Sequence, residues 1–139
     1  MSVSFRILTT LGLVYVHYAG HAKMADTLNA FSEYAQHPDF RPGQKQFVDL
    51  SQLTGWDEDY LELMKAQAKK AETFTGNNAQ TLITYFAPTE IGQKLARLAL
   101  RSWEPFPSVV PIILDTEEQA LAILGVPHTN LNQLLNPAG

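Results

Sequence analysis

The sequence predicts an α/β domain with a mixed, mostly parallel sheet of about five strands and about four helices. Three observations lead to this prediction. Short runs rich in Val, Ile, Tyr and Phe alternate with longer segments whose apolar residues recur every three or four positions. Glycine and proline separate the two kinds of segment. The first two strand-like runs follow each other directly, so the expected order is β-β-α-β-α-β-α-β-α.

The first half of the chain begins with a predicted hairpin, residues 4–8 and 13–19, that turns around Gly12. Gly20 ends the second strand, and residues 22–36 have the spacing of an amphipathic helix. The apolar residues of that helix are Met24, Leu28, Phe31 and Ala35.

The central stretch begins with a buried strand around Phe47, Val48 and Leu50. We predict a polar turn over residues 51–57 and a second helix over residues 57–74. Its predicted buried stripe is Leu61, Met64, Ala68 and Ala71, with Lys65, Lys69 and Lys70 mostly off that stripe.

The second half repeats the pattern. Residues 76–78 end the second helix, and residues 80–87 form the next strand. A third helix runs from about residue 89 to 102, and a short strand covers residues 109–114. Pro111 restricts that strand to a sheet edge or a bulge. Thr116 is predicted to cap the last helix.

Length and composition set the limits on function. At 139 residues the chain is one domain, which we assign to residues 1–125, followed by a tail over residues 126–139. Leu131, Leu134 and Leu135 suggest a short helix in that tail. The sequence has no cysteine, which excludes disulfides, cysteine nucleophiles and thiolate zinc sites. A net charge of −4 argues against nucleic acid as a partner.

The apolar run over residues 7–16 raises the question of a signal peptide or a membrane helix. Thr9, Thr10 and Gly12 interrupt it, and His17 follows where a signal peptide would stay apolar. A membrane-spanning helix needs about 20 apolar residues. We therefore expect a cytoplasmic protein without stable membrane insertion.

The central stretch, with FVDLS over residues 47–51 and an acidic helix start at Asp57, resembles the STAS superfamily, most closely its SpoIIAA-like branch. The resemblance extends to about Leu124 and implies a SpoIIAA-like fold of bacterial signalling proteins. STAS anti-sigma-factor antagonists carry Asp-Ser-Ser-Gly at this helix start, and the first serine is phosphorylated.

This chain departs from that pattern. Asp57 falls on the family's aspartate, Glu58 on the phosphoserine position, Asp59 on the next serine and Tyr60 on the glycine. The resemblance therefore implies a STAS-like module without the phosphorylatable serine. The alternative is that Asp57, Glu58 and Asp59 are ordinary helix-start residues, since carboxylates are favoured there.

The first functional hypothesis is a non-enzymatic regulatory or protein-interaction module. Ligands of such sheets gather at the carboxyl ends of the parallel strands, which places recognition on Ser51, Asp57, Glu58 and Asp59. The third helix would add a basic stripe for an anion or an acidic partner. That stripe consists of Lys94, Arg97 and Arg101, and an ordinary solvated helix face would look the same.

The second hypothesis is a module that binds a small apolar, lipid or anionic ligand in a groove between helices. The residues predicted to line it are Met64, Phe86, Trp103 and Phe106. The third hypothesis is an enzyme that uses Asp57 or Glu58. Because the sequence has no Gly-x-Ser-x-Gly elbow, P-loop or dinucleotide fingerprint, we expect no enzyme and no cofactor.

Two further expectations concern partners and metals. Leu100, Trp103 and Phe106, with the tail over Leu131–Leu135, are expected to form an apolar contact of a homodimer; the alternative is that Trp103 covers the core of its own chain. His17 and His21 have helical metal-ligand spacing but straddle a strand end, so we expect no metal site.

Overall fold

The computed structural model describes residues 2–74 and 80–135. In these ranges five strands form one sheet whose spatial order follows the chain. The strands are β1 (Val3–Leu8), β2 (Leu13–Ala22), β3 (Lys45–Trp56), β4 (Thr81–Phe86) and β5 (Val109–Leu114). The β1 strand pairs antiparallel with β2, and all later neighbours pair in parallel. The predicted fold class and element order are confirmed.

Five α-helices accompany the sheet in the described ranges. They are α1 (Met24–Ala35), α2 (Tyr60–Phe74), α3 (Glu90–Ser102), α4 (Glu117–Ile123) and α5 (Leu131–Leu135). The last of these confirms the predicted tail helix. The predicted stop of the second helix at residues 76–78 lies outside the described residues. No described helix has the length and apolar character needed to cross a membrane.

The sheet has a different helix layer on each face. Every parallel connection is right-handed by preference and leads to the adjacent strand, so α1, α2 and α3 share one face. There Val14, Val48 and Ile83 form a core with these helices. On the opposite face α4 and α5 pack against Leu13 and Phe47. Each strand in the middle is therefore buried on both sides, as its apolar sequence predicts.

The β3 strand is longer than predicted, and the predicted turn over residues 51–57 is wrong. Residues 51–56 continue the strand and pair with the end of β2, where Ala22 faces Trp56. Leu53 and Trp56 are buried, whereas Gln52 and Thr54 are exposed. This partial alternation is a strand signal that the polar composition of the segment concealed. The pairing of β3 with β2 thus extends further along β3 than its pairing with β4 does.

The buried side of α2 also differs from the predicted stripe. Leu61, predicted to be buried, is 64% exposed. The buried residues of the helix are Leu63, Ala66, Gln67, Ala71 and Phe74. Lys70 lies on this stripe, three residues after Gln67 and four before Phe74, and it is partly buried. The predicted stripe counts apolar residues only, whereas the observed one includes Gln67 and Lys70.

Two predictions for the second half, the edge position of Pro111 and the helix cap of Thr116, are confirmed. Pro111 lies in β5, which forms an edge of the sheet. The Thr116 hydroxyl accepts a hydrogen bond from the backbone N–H of Gln119 at 3.2 Å and caps α4. The Thr89 hydroxyl caps α3 in the same way, with Gly92 as the donor at 3.1 Å.

Candidate functional site

The segment that connects β3 to α2 forms an exposed corner with the first two residues of α2, and we define this corner as residues 57–61. Asp57, Glu58 and Asp59 present three exposed carboxylates there. Three of the four predicted site residues of the central stretch therefore lie together, although they follow a strand and not a turn.

Asp57, predicted to lie at the start of the second helix, precedes α2 and instead caps α1. Its Oδ2 accepts a hydrogen bond from the backbone N–H of Met24 at 2.9 Å, at the first residue of α1. Its Oδ1 lies 2.9 Å from His21 Nε2 near the end of β2. The hydrogen bond from Met24, followed by that from His21, lowers the pKa of the Asp57 carboxyl. One carboxylate thus ties three elements together.

Asp59 is the residue that caps α2. Its Oδ1 accepts a hydrogen bond from the backbone N–H of Glu62 at 3.1 Å. Between the two capping aspartates, Glu58 has a φ of +53°, in the left-handed region that residues other than glycine seldom adopt. The Glu58 side chain is exposed, so its charge lies on the corner between two carboxylates that already have hydrogen-bonded roles.

The corner also exposes apolar surface. Tyr60 and Leu61 open α2 and are both exposed, Leu61 most of all among the large apolar residues described. Isolated exposed apolar residues are normal on protein surfaces. Here, however, two of them directly follow three carboxylates, which gives the corner both an apolar and an ionic contact element.

Ser51 does not belong to this corner. It lies about six residues before Asp57 along an extended strand, which corresponds to roughly 20 Å. Its side chain and its backbone N–H both donate to Asp49 Oδ1, at 2.6 and 2.9 Å. Asp49 is 2% exposed, so these hydrogen bonds satisfy one oxygen of a buried carboxylate.

The other oxygen of Asp49 accepts a hydrogen bond from the Tyr15 hydroxyl at 2.5 Å. Burial, and then this hydrogen bond, raise the pKa of Tyr15 far above its usual value. His17 Nδ1 lies 3.1 Å from the Tyr15 oxygen. Since the single hydroxyl proton of Tyr15 points to Asp49, this geometry indicates that His17 Nδ1 is the donor.

This network of Tyr15, His17, Asp49 and Ser51 was not predicted. It arises because the parallel register places His17 opposite Asp49, which sequence spacing alone does not reveal. The Ser51 proton goes to the carboxylate, and within the described residues His17 is hydrogen-bonded to Tyr15 and not to Ser51. The arrangement differs from a serine–histidine pair, in which histidine accepts the serine proton.

The basic stripe lies on α3 as predicted. Lys94, Arg97 and Arg101 are all exposed, and no described carboxylate forms a salt bridge with any of them. Arg101 occupies the last turn, where positive charge is favoured by the helix dipole. This position alone accounts for Arg101, and the ligand of the stripe stays a prediction.

The predicted apolar contact patch is wrong in one of its members. Trp103 is 2% exposed, and its Nε1–H donates to the Tyr85 hydroxyl at 2.8 Å inside the core. Phe106 is partly buried against the Trp103 ring. Leu100 is exposed. Trp103 thus covers the core of its own chain, which was the alternative, and the homodimer stays a prediction.

The predicted ligand groove is also placed differently. Phe86 packs with α4 on the opposite face of the sheet, whereas Trp103 lines a cavity between the sheet, α1 and α2. Met64 and Phe106 line neither this cavity of about 70 Å³ nor its neighbour of about 50 Å³. Both cavities are lined by Lys70, which sequence reasoning had assigned to the solvent side.

The environment of Lys70 is unusual for a lysine. Its burial among apolar side chains lowers the pKa of the amine from 10.5 to about 8. No described carboxylate lines either cavity or pairs with this amine. The spacing from Leu63 through Gln67 to Phe74 was the signal in the sequence that would have located it.

The histidines do not converge on a metal site. His17 contacts Tyr15, and His21 contacts Asp57. Across residues 2–74 and 80–135, no group of three or more histidines and carboxylates is arranged to hold a metal ion.

Comparison with known proteins gives a fold match. No family model matches the sequence. No curated protein matches it either. A solved structure of the anti-sigma factor antagonist SpoIIAA in its unphosphorylated form aligns with a TM-score of 0.52 and 12% identity, over 88% of this chain and 97% of that chain. The chain therefore has the SpoIIAA-like STAS fold that the sequence predicted.

Proposed function

We propose that the protein is a non-enzymatic, STAS-like interaction module whose contact surface is the β3–α2 corner, residues 57–61. The observation that supports this proposal most is the exposure of Leu61, three residues after the exposed Glu58. A partner with an apolar pocket bordered by basic side chains would complement both elements.

Glu58 gives the corner a permanent negative charge. The resemblance to STAS proteins assigns this position to a serine that gains its charge by phosphorylation. A carboxylate cannot be switched in that way, and it carries about one charge where a phosphate carries up to two. We therefore propose that the corner binds its partner constitutively and that regulation comes from the amount of either protein.

The backbone around Glu58 supports this role. Asp57 and Asp59 are each held by a hydrogen bond to a helix N-terminus, one on α1 and the other on α2. The corner is thus fixed on both sides of Glu58, and a fixed surface loses less conformational entropy on binding than a mobile loop.

The test is affinity capture from cell extract with the purified protein immobilised, followed by quantitative mass spectrometry. A protein captured by the wild type should be depleted about tenfold by Leu61→Ser and by Glu58→Lys, and retained by Glu58→Asp. Ile123→Ser is the matched control, because Ile123 is also an exposed apolar helix residue and lies on α4, on the opposite face of the sheet. An identical set of captured proteins for all variants would refute the proposal.

A second variant separates charge from backbone conformation. Glycine adopts a positive φ without the strain that other residues incur. Glu58→Gly should therefore keep or increase thermal stability while reducing capture of the partner. Loss of stability together with unchanged capture would favour the alternative, in which Glu58 is an ordinary helix-start residue.

A further inference from the structure

The two cavities beneath α1 and α2 adjoin each other. Tyr18, Thr27, Val48, Lys70 and Tyr85 line both of them. Most of the further lining of the larger cavity is apolar, although Tyr34 and Gln46 also line it, and we call it the apolar lobe. The smaller one continues toward the β3–α2 corner, and we call it the polar lobe because of two unpartnered polar atoms in its lining residues, since its lining as a whole is no more polar than that of the larger one. The apolar lobe is also lined by Val14, Val16, Phe31, Phe74 and Ile83.

The polar lobe collects buried polar atoms that lack hydrogen-bond partners. In the described part of the chain only three buried side-chain atoms are in this condition, and two of them, Trp56 Nε1 and Gln67 Oε1, belong to residues that line this lobe. Buried polar groups in folded proteins are nearly always hydrogen-bonded. Both atoms are themselves inaccessible to water, so a polar molecule in this lobe completes them only when neighbouring side chains shift slightly.

The orientation of Gln67 is fixed by its neighbours. The Ser102 hydroxyl donates its proton to the Ala99 carbonyl at 2.5 Å, so it can only accept from Gln67. Gln67 Nε2 is therefore the atom that faces Ser102, at 3.1 Å, and Oε1 is the atom left without a partner. This excludes a simple exchange of the two amide atoms as the explanation.

Lys70 determines the charge that the cavities can accept. Among the described residues it is the one charged side chain that lines them, and it has neither a hydrogen bond nor a salt bridge there. The other titratable groups that line these cavities are Tyr18, Tyr34 and Tyr85, and burial raises the pKa of all three hydroxyls. An amine that is half enclosed by apolar walls is a binding partner for an anion.

We propose that the joined cavities bind an aliphatic monocarboxylate. Its carboxylate lies in the polar lobe, where it accepts hydrogen bonds from the Lys70 amine and from Trp56 Nε1, and its alkyl chain lies in the apolar lobe. A dianionic phosphate fits less well, because the described lining offers a single cation. Gln67 Oε1 needs a donor that the carboxylate lacks, which a water molecule can provide.

The volumes limit the size of this ligand. The lobes measure about 70 and 50 Å³, and a cavity of about 150 Å³ suffices for benzene. Together the lobes are smaller than that, so a carboxylate group with a short, unbranched chain fits only because both lobes are partly open to solvent, and a long-chain lipid does not fit. Butanoate, hexanoate and octanoate are suitable probes.

The experiment uses the fluorescence of the two tryptophans of the chain, since Trp56 lines the polar lobe and Trp103 lines the apolar lobe. Titration with hexanoate should change the emission saturably, and hexan-1-ol should bind about tenfold more weakly because it lacks the charge. Equal affinity for the acid and the alcohol would overturn the assignment of Lys70 and indicate a purely apolar pocket. No saturable change with any of the three acids would overturn the proposal as a whole.

The variants test the two donors separately. Lys70→Met removes the charge while retaining an unbranched side chain, and it should weaken hexanoate binding at least about tenfold. Trp56→Phe removes the N–H and should weaken binding by a smaller factor, with Trp103 as the remaining fluorophore. Lys69→Met is the matched control, because Lys69 is the exposed neighbour on the same helix, and it should bind as the wild type does.

A pH series provides a readout that a purely structural lysine would not affect. Hexanoate affinity should be constant from pH 6 to the pKa of Lys70 in the ligand-free protein, about 8, fall about tenfold per pH unit above it, and level off above the higher pKa of Lys70 in the complex. The Lys70→Met protein should show no such fall. Leu61→Ser should bind hexanoate normally, so failure of this proposal and failure of the interaction surface can be told apart.

Discussion

The Asp57 carboxylate accepts a hydrogen bond from the backbone N–H of Met24 at 2.9 Å, across 33 positions of the chain. The bond links the connection after β3 to the first turn of α1, and the contact of Asp57 with His21 adds the end of β2. The corner that we propose as a contact surface is therefore held by elements outside it.

Replacing Asp57 should loosen this junction. We expect Asp57→Ala to lower the melting temperature by a few degrees, since it leaves the N-terminus of α1 without its acceptor. Asp57→Asn keeps a hydrogen-bond acceptor but no charge, so its melting temperature should lie between those of the wild type and Asp57→Ala. Asp115→Ala, at another exposed aspartate, is the control and should melt as the wild type does.

The difference in stability between the wild type and Asp57→Asn has a predictable pH dependence. The folded-state pKa of Asp57 lies below the ordinary value of 3.8, so its charge stabilises the fold above that value and this stabilisation is lost as the pH falls through the folded-state pKa. The difference in melting temperature between wild type and Asp57→Asn should therefore shrink in acid. A difference that is constant down to pH 2 would contradict this assignment.

Lys70 should destabilise the ligand-free protein. Its pKa is about 8 in the folded state and 10.5 when unfolded, which corresponds to a cost of roughly 3 kcal/mol at most in the free energy of unfolding at neutral pH. Lys70→Met should therefore be more stable than the wild type in urea denaturation below pH 8. Between pH 8 and 10.5 Lys70 is protonated in the unfolded chain but neutral in the folded one. The wild type therefore gains stability as the pH rises over that interval, and its difference in unfolding free energy from Lys70→Met should vanish.

Lys69→Met should not change the stability of the protein in that experiment. A stabilising effect of equal size at Lys69 would show that removal of surface charge is responsible. A Lys70→Met protein that is less stable than the wild type at pH 7 would show that the amine makes a favourable interaction in the fold.

Gly92 should be intolerant of alanine although it lies within α3. A Cβ there would come within 3.0 Å of Thr89 Oγ1 and within 3.3 Å of the Leu50 backbone carbonyl oxygen, which a rigid central strand holds in place. We expect Gly92→Ala to reduce the free energy of unfolding by about 1–3 kcal/mol, opposite in sign to the usual gain in helix propensity. Thr89→Ser, which preserves the cap, should have a much smaller effect in the same urea titration.

Trp103 and Leu100 should respond differently to substitution. Trp103→Phe removes the donor to the Tyr85 hydroxyl in the core and should cost about 2 kcal/mol in unfolding free energy at any protein concentration. Leu100→Ser should change stability by less than about 0.5 kcal/mol. If the predicted homodimer uses α3, light scattering should detect dissociation for Leu100→Ser and not for Trp103→Phe.

The sequence was sufficient for the architecture because strand and helix periods, together with Gly12, Pro111 and Thr116, mark most of the elements. The predictions from the sequence were wrong where polar or charged side chains lie in a strand or line a cavity. Residues 51–56 are polar enough to suggest a turn but are paired as a strand, since β2 extends alongside them. Lys70 was assigned to solvent because lysine is rarely buried.

The candidate site was only partly predictable. The exposure of Asp57, Glu58 and Asp59 followed from their charge, but the element that Asp57 caps depends on a contact distant in sequence. The association of His17 with Asp49 depends on strand register in the same way. Register and long-range contacts are properties of the folded chain, which local spacing does not encode.

Pro111 also has a consequence for the behaviour of the protein at high concentration. An outer strand with free backbone donors is a template on which further chains can stack into fibrils, and a proline interrupts the row of donors. At the other border, Arg6 places a charge within β1 and donates to the Leu135 carbonyl of α5 at 3.0 Å. Neither border offers an uninterrupted apolar template, so concentrated preparations should stay dispersed and fail to seed amyloid.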